Sequence, residues 1–223
     1  TPSLKIEEGY WYVSLDGGAT WTELGKATGE DGKDGADGDS MFEGIEQDDN
    51  YVYVYLSDGT TLILPKAEIS LATIDTAAYY TFTKADKVEA GEWYLIVADG
   101  KAAQPVAADK GYGYLAVANV EDKDGVINTL GAYAFGVMPA NGGYTLMQPD
   151  GRFLYQSGNY NSFNVNAKPN EGFVWSISAN EDGTFKILNN SVNKYVQFDS
   201  EFTSYGSYAD ARGTMPVLYK LTG

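Results

Sequence analysis

Tyr51-Val-Tyr-Val-Tyr-Leu56, Ser57-Asp-Gly-Thr60 and Thr61-Leu-Ile-Leu64 follow one another without a break. The outer two stretches are rich in β-branched and aromatic residues, and the first alternates Tyr with Val at the two-residue period of a strand. Between them, Asp58-Gly59 tolerates the positive φ that tight hairpin turns favour. Pro65 has no N–H for a ladder and closes the second strand. Working outward in either direction, short runs of Tyr, Val, Ile, Phe and Thr alternate with Gly, Asp and Asn turns. Helical signal is confined to Lys84-Ala-Asp-Lys-Val-Glu-Ala90, which Gly91 limits to about two turns. The predicted fold class is all-β.

A domain boundary is expected near Lys66–Thr73, giving a small N-terminal hairpin domain (1–66) and a C-terminal β-barrel domain (67–223). The second part carries an internal repeat. Tyr144-Thr-Leu-Met-Gln148, Gly151-Arg-Phe-Leu-Tyr155 and Tyr160-Asn-Ser-Phe163 are echoed by Phe185-Lys-Ile-Leu-Asn189, Asn193-Lys-Tyr-Val-Gln197 and Phe202-Thr-Ser-Tyr205. Ahead of each copy lies a further strand, Ala134–Val137 or Val174–Ile177, and a turn ending in Gly143 or Gly183. Trp93–Val97 and Tyr114–Val117 belong to a degraded third copy. Three such units match the arithmetic of a β-trefoil, and other small closed barrels fit as well.

Composition narrows the chemistry. The 223 residues hold 15 basic and 31 acidic side chains, no cysteine and no histidine, for a net charge of −16. A Ser-His-Asp triad, a thiolate nucleophile and a Cys/His zinc site are therefore excluded. So is a disulfide, and stability must come from a buried core. The acidic balance opposes nucleic acid and anionic membranes alike. No apolar run approaches the ~18–20 residues of a membrane-spanning helix. The chain opens on Thr1-Pro2 with no signal peptide, as expected of a mature product or a fragment.

Two short patterns stand out in the N-terminal part. Ser14-Leu-Asp-Gly-Gly-Ala-Thr-Trp21 fits S-x-D-x-G-x-T-W and resembles the Asp-box hairpin of sialidases and many unrelated secreted proteins, in which the motif is structural. Asp16 is expected to cap turn amides, Gly18 to take a left-handed conformation, and Trp21 to fold over the turn. Next, Gly29-Glu-Asp-Gly-Lys-Asp-Gly-Ala-Asp-Gly-Asp-Ser40 places glycine at every third residue, as collagen does, but without proline. Its Asp31, Asp34, Asp37 and Asp39 are candidate calcium ligands, since clustered carboxylates suit hard cations. The spacing departs from the EF-hand pattern, and a solvated, self-repelling spacer is the competing reading.

Three features occur in order: Tyr10–Trp21, the Leu24–Gly38 segment and the Tyr53–Lys66 hairpin. Together they resemble the N-terminal domain of unknown function common in surface lipoproteins of gut Bacteroidetes. Gly151–Gln156, Tyr160–Val165 and Tyr205–Tyr219 resemble a β-rich C-terminal module of the same kind of protein. The resemblance implies an extracytoplasmic, outer-membrane cell-surface setting through a lipid anchor on a longer parent. The lipidated cysteine and upstream coiled coil of such proteins are absent from this chain, so trimerisation is expected only with upstream segments.

For function, the expectation is a non-catalytic module binding neutral glycans. Sugar faces stack on aromatic rings, while Asn, Gln and Asp read hydroxyls. The repeat loops supply Tyr155, Asn159, Tyr160, Asn161 and Phe163 in one copy, and Phe202, Tyr205 and Tyr208 in the other. Repulsion by the acidic chain disfavours sulfated or uronic-acid sugars. Trp93, Trp175, Phe135 and Phe153 read as core. The alternative is a spacer or assembly element with no small ligand. Catalysis by paired carboxylates is not expected, because nothing distinguishes two acids among the 31. No cofactor is implied beyond calcium at the acidic tract.

Overall fold

A computed structural model describes residues 3–27, 42–47, 51–65, 69–168 and 171–223. The candidate ligands Asp31, Asp34, Asp37 and Asp39 lie outside the described residues. The chain divides into two compact units, residues 1–68 and 69–223.

In the first unit the described residues form two antiparallel three-stranded sheets, Ser3–Glu7 with Tyr10–Ser14 and Thr22–Lys26, and Phe42–Gln47 with Tyr51–Leu56 and Thr61–Pro65. The Asp58-Gly59 turn forms as its residues dictate. Gly59 has φ +82° and its amide donates to the Leu56 carbonyl, while Asp58 accepts the Thr60 amide at 2.8 Å. Ser14–Trp21 is a self-capped hairpin turn. Asp16 accepts the Thr20 amide and hydroxyl and the Ser14 hydroxyl, and the Trp21 indole donates to the Gly18 carbonyl. Three donors on one carboxylate, the Thr20 hydroxyl foremost, hold Asp16 far below the usual carboxylate range.

The second unit is built on a six-strand ring among the described residues. Glu92–Ala98 pairs with Phe135–Ala140, which pairs with Gly143–Met147, then Trp175–Ala179, then Phe185–Asn189. Val217–Leu221 pairs with the other side of Glu92–Ala98. The Phe185 amide donates to the Pro216 carbonyl at 2.7 Å and closes the ring. Each of three ring strands then passes the chain to a cap hairpin, through the pairs Val97↔Ala102, Met147↔Phe153 and Leu188↔Tyr195. Cap 1 joins Lys101–Ala103 to Val117–Asn119, cap 2 Phe153–Tyr155 to Phe163–Asn166, and cap 3 Lys194–Asp199 to Ser204–Tyr208. The caps meet pairwise. Tyr112 pairs with Asn164, Leu115 and Tyr205 exchange backbone hydrogen bonds, and the Ser207 amide donates to the Asn161 carbonyl. Ring plus three caps in threefold register is the trefoil arrangement, and the faint copy at 93–117 is its first repeat.

Registers identify equivalent positions. Ile96, Leu146 and Ile187 form one layer inside the ring, and Ala103, Leu154 and Val196 form the layer beneath the caps; all are buried. Tyr79–Lys84 and Val126–Leu130 add a second layer outside Val217–Leu221. Glu92–Ala98 is therefore covered on both faces. Tyr94 and Ile96 point into the ring, and Trp93, Leu95 and Val97 pack against Phe82 and Ile127. This is why its sequence is an unbroken apolar run rather than an alternating one.

The expected helix at 84–90 does not form; the segment is extended and bent. Tertiary partners claim its polar groups instead. The Ala85 amide donates to the Leu218 carbonyl, the Glu89 amide to the Tyr94 hydroxyl, and Lys220 holds the Glu89 carboxylate at 2.6 Å. Short helices have little intrinsic stability to set against such bonds.

Candidate functional site

Cap 3 and the segment that follows it supply most of the site. Gln197, buried at the middle of Lys194–Asp199, accepts the amides of Arg212 and Gly213 through Oε1 and donates to the Asp210 carbonyl through Nε2. A single side chain thus bonds three backbone groups of an irregular loop, in addition to the bond from the Arg212 amide to the Asp210 carbonyl. Thr214 and Phe198 exchange both backbone hydrogen bonds at 2.9 Å. Loop 209–214 is thereby pinned against the cap, with Arg212 projecting beside it.

Arg212 Nε donates to Asp199 Oδ2 at 2.6 Å, and the Tyr208 hydroxyl donates to the same oxygen at 3.2 Å. Asp199 Oδ1 accepts the Glu201 amide. The guanidinium carbon lies 5.5 Å from the Phe202 ring centre and 5.2 Å from that of Tyr208, within cation–π range. Arg212 beside it holds the Asp199 carboxyl below its ordinary range. Burial, reinforced by Asp199, pushes the Tyr208 phenol up to about 12. At neutral pH this wall therefore consists of a paired cation and anion and a neutral phenol.

The wall faces a cleft of about 480 Å³ lined by Tyr114, Asn161, Phe202, Ser204, Tyr208 and Arg212. All three caps contribute: Tyr114 from the first, Asn161 from the second, the rest from the third and its following loop. Phe202 is 64% exposed and Tyr114 50%. Asn161 is positioned by Lys194, whose ammonium donates to Asn161 Oδ1 and to the carbonyls of Asn159 and Tyr160.

Of the eight residues predicted to bind, the structure brings Asn161, Phe202 and Tyr208 together here. Asn159 and Tyr160 are exposed at the tip of cap 2, outside the cleft lining, and Tyr155 is half-buried on its strand. Phe163 and Tyr205 are corrected to core residues, both 0% exposed. They occupy equivalent positions beneath caps 2 and 3, where the pleat turns them inward. The Tyr205 hydroxyl is spent on the Lys101 carbonyl at 2.7 Å. Sequence reasoning missed Tyr114, Ser204 and Arg212. Arg212 is one of only two arginines in an acidic chain, the one signal that could have marked it.

A second cleft of about 650 Å³ lies along loop 104–116, lined by Pro105, Asp109, Lys110, Tyr112 and Tyr114 among others. Gln148, fully buried, accepts the Val106 amide and donates to the Val106 carbonyl. Arg152 donates to the carbonyls of Val106, Ala107 and Lys110 while paired with Asp150. This loop is anchored by side chains, as is 209–214.

No family model matches the chain, and no curated protein does. Among solved structures it is similar to a designed threefold-symmetric protein, ThreeFoil, at 15% identity and TM-score 0.44, over 59% of this chain and 99% of that one. It is also similar to a GH43 β-1,3-galactosidase at 14% identity and TM-score 0.47. That match covers 99% of this chain, which spans 54% of the galactosidase chain. Likenesses of this size carry no argument about activity.

Proposed function

We propose that the chain is a non-catalytic, extracytoplasmic surface-protein module whose C-terminal unit binds neutral glycans in the cleft between the caps. The observation that carries this reading is the pairing of exposed aromatic faces, Phe202 and Tyr114, with hydrogen-bonding groups on Asn161, Ser204 and Arg212 around one cavity, Asn161 held by Lys194 and Arg212 by Asp199. An aromatic face takes the C–H side of a pyranose, and amide, hydroxyl and guanidinium groups read its hydroxyls. Arg212 is neutralised by Asp199, so the cleft offers donors without a net positive charge, which suits an uncharged sugar.

A glycan-array screen of the full chain, with calcium and with EDTA, tests the reading. Selective binding to neutral glycans, lost in Phe202→Ala and retained in Tyr160→Ala, is the expected result. Silence under both conditions overturns it and leaves the spacer reading. Binding that survives Phe202→Ala but needs calcium moves the site to the Asp31–Asp39 tract.

A further inference from the structure

The two clefts share a wall. Tyr114 lines the 480 Å³ cleft at cap 3 and also the 650 Å³ cleft along 104–116. Together they exceed the ~1,000 Å³ upper end of an ordinary small-ligand pocket. Three exposed aromatic side chains are distributed along them: Tyr112 in the first, 69% exposed, Tyr114 at the junction, and Phe202 in the second. Tyr112 and Tyr114 stand two residues apart, and both face the first cleft.

Polar groups accompany each ring. Asp109 and Lys110 line the first cleft, and Asn161, Ser204 and Arg212 the second. Both rims are held from beneath by a buried glutamine, Gln148 under Val106 and Gln197 under 210–213. The surface is thus formed in advance, and a ligand lying along it does not have to order either loop.

Resting on the glycan-binding reading above, we infer that the ligand is an extended oligosaccharide running from the Tyr112 cleft past Tyr114 to the Phe202 cleft, rather than a single terminal sugar. Successive sugar rings meet successive aromatic faces, and Tyr114 is the one contact common to both halves. Affinity then grows with chain length until both clefts are filled, because linked contacts bind with the advantage of a second, intramolecular event.

Calorimetry with neutral glucose, galactose and mannose oligomers of one to six units tests this on the full chain. Affinity is expected to rise with length and then level off. Tyr112→Ala should abolish the length-dependent gain, about tenfold in Kd, and leave the shortest binding oligomer unaffected. Phe202→Ala and Tyr114→Ala should weaken every length. Tyr112 is exposed, so an unchanged melting temperature confirms that the variant is folded. Length-independent affinity, insensitive to Tyr112→Ala, overturns this inference while leaving single-cleft glycan binding intact. Absence of binding by every oligomer overturns both.

Discussion

Tyr205 and Phe202 stand three residues apart in the same repeat, and the structure gives them opposite roles that substitution can separate. Tyr205 is fully buried, its ring 5.3 Å from that of Phe198 and its hydroxyl donating to the Lys101 carbonyl of cap 1. Truncating a buried aromatic residue to alanine costs roughly 3–5 kcal/mol. For a unit of this size each kcal/mol lowers the melting temperature by about 2–4 °C, so Tyr205→Ala should lose roughly 6–20 °C. Tyr205→Phe keeps the ring and removes one buried hydrogen bond, at a cost of about 1–2 kcal/mol. Phe202→Ala removes an exposed ring whose only described ring contact is with Arg212, and should stay within about 1 kcal/mol of the parent. Thermal unfolding followed by near-ultraviolet circular dichroism, paired with calorimetry against the best array glycan, reads both properties. Tyr205→Phe should bind as the parent does, and Phe202→Ala should bind weakly while remaining stable. If Tyr205→Phe loses binding at unchanged stability, or Phe202→Ala melts as early as Tyr205→Ala, the division into core and cleft is wrong.

Acid should weaken the second unit in a defined window. Glu89 is held by Lys220 and Lys87 at about 2, below an unfolded value near 4.3. Its contribution is complete above about pH 5 and is lost as pH falls from 4 towards 2; the urea midpoint of the parent should therefore fall further across that range than that of Glu89→Gln. Asp16→Ala removes the acceptor for the Thr20 amide and hydroxyl, and hydrogen exchange at Thr20 should quicken while the second unit's melting is unchanged. Gly213→Ala would place a Cβ against the Phe198 carbonyl, a backbone group that cannot swing aside. It should cost roughly 1–3 kcal/mol, and by displacing Arg212 weaken glycan binding in the same calorimetric assay.

What could be read in advance follows from where local pattern and tertiary fate coincide. The 144–163 and 185–205 copies were legible because ring and cap strands need the same apolar layers in each repeat: Leu146 matches Ile187, and Leu154 matches Val196. The first repeat was faint because cap 1 carries Ala103 in that layer and a long loop before Val117. The outer layer of Tyr79–Lys84 and Val126–Leu130 left one trace, the unbroken apolar run at 93–97, but which strands would cover it is a long-range matter. The helix expected at 84–90 failed because the bonds that decide it come from Leu218 and Lys220. Within the site, strand periodicity does not cross a turn, so nothing local said that Phe163 and Tyr205 face inward while Tyr160 and Phe202 face out. Tyr114 and Arg212 reach the cleft from the first and the third repeat, and only the meeting of the caps brings them together.

The same contrast explains why the clefts occur where they do. A threefold ring fills its interior by matched layers, and the layers tolerate exchange only when neighbours compensate, as Pro216, Phe135 and Trp175 do at equivalent ring positions. The cap loops are under no such constraint, and they differ: 104–116, 156–162 and 200–203 shorten in turn. Were the three loops alike, the caps would meet symmetrically, and each junction would offer the same small notch. The long first loop instead curls into a cleft of its own and lends Tyr114 to its neighbour, while the short third loop leaves Phe202 standing clear beside Arg212. The clefts arise where the repeat is broken, and buried Gln148 and Gln197 are what allow irregular loops at that break to hold a fixed shape.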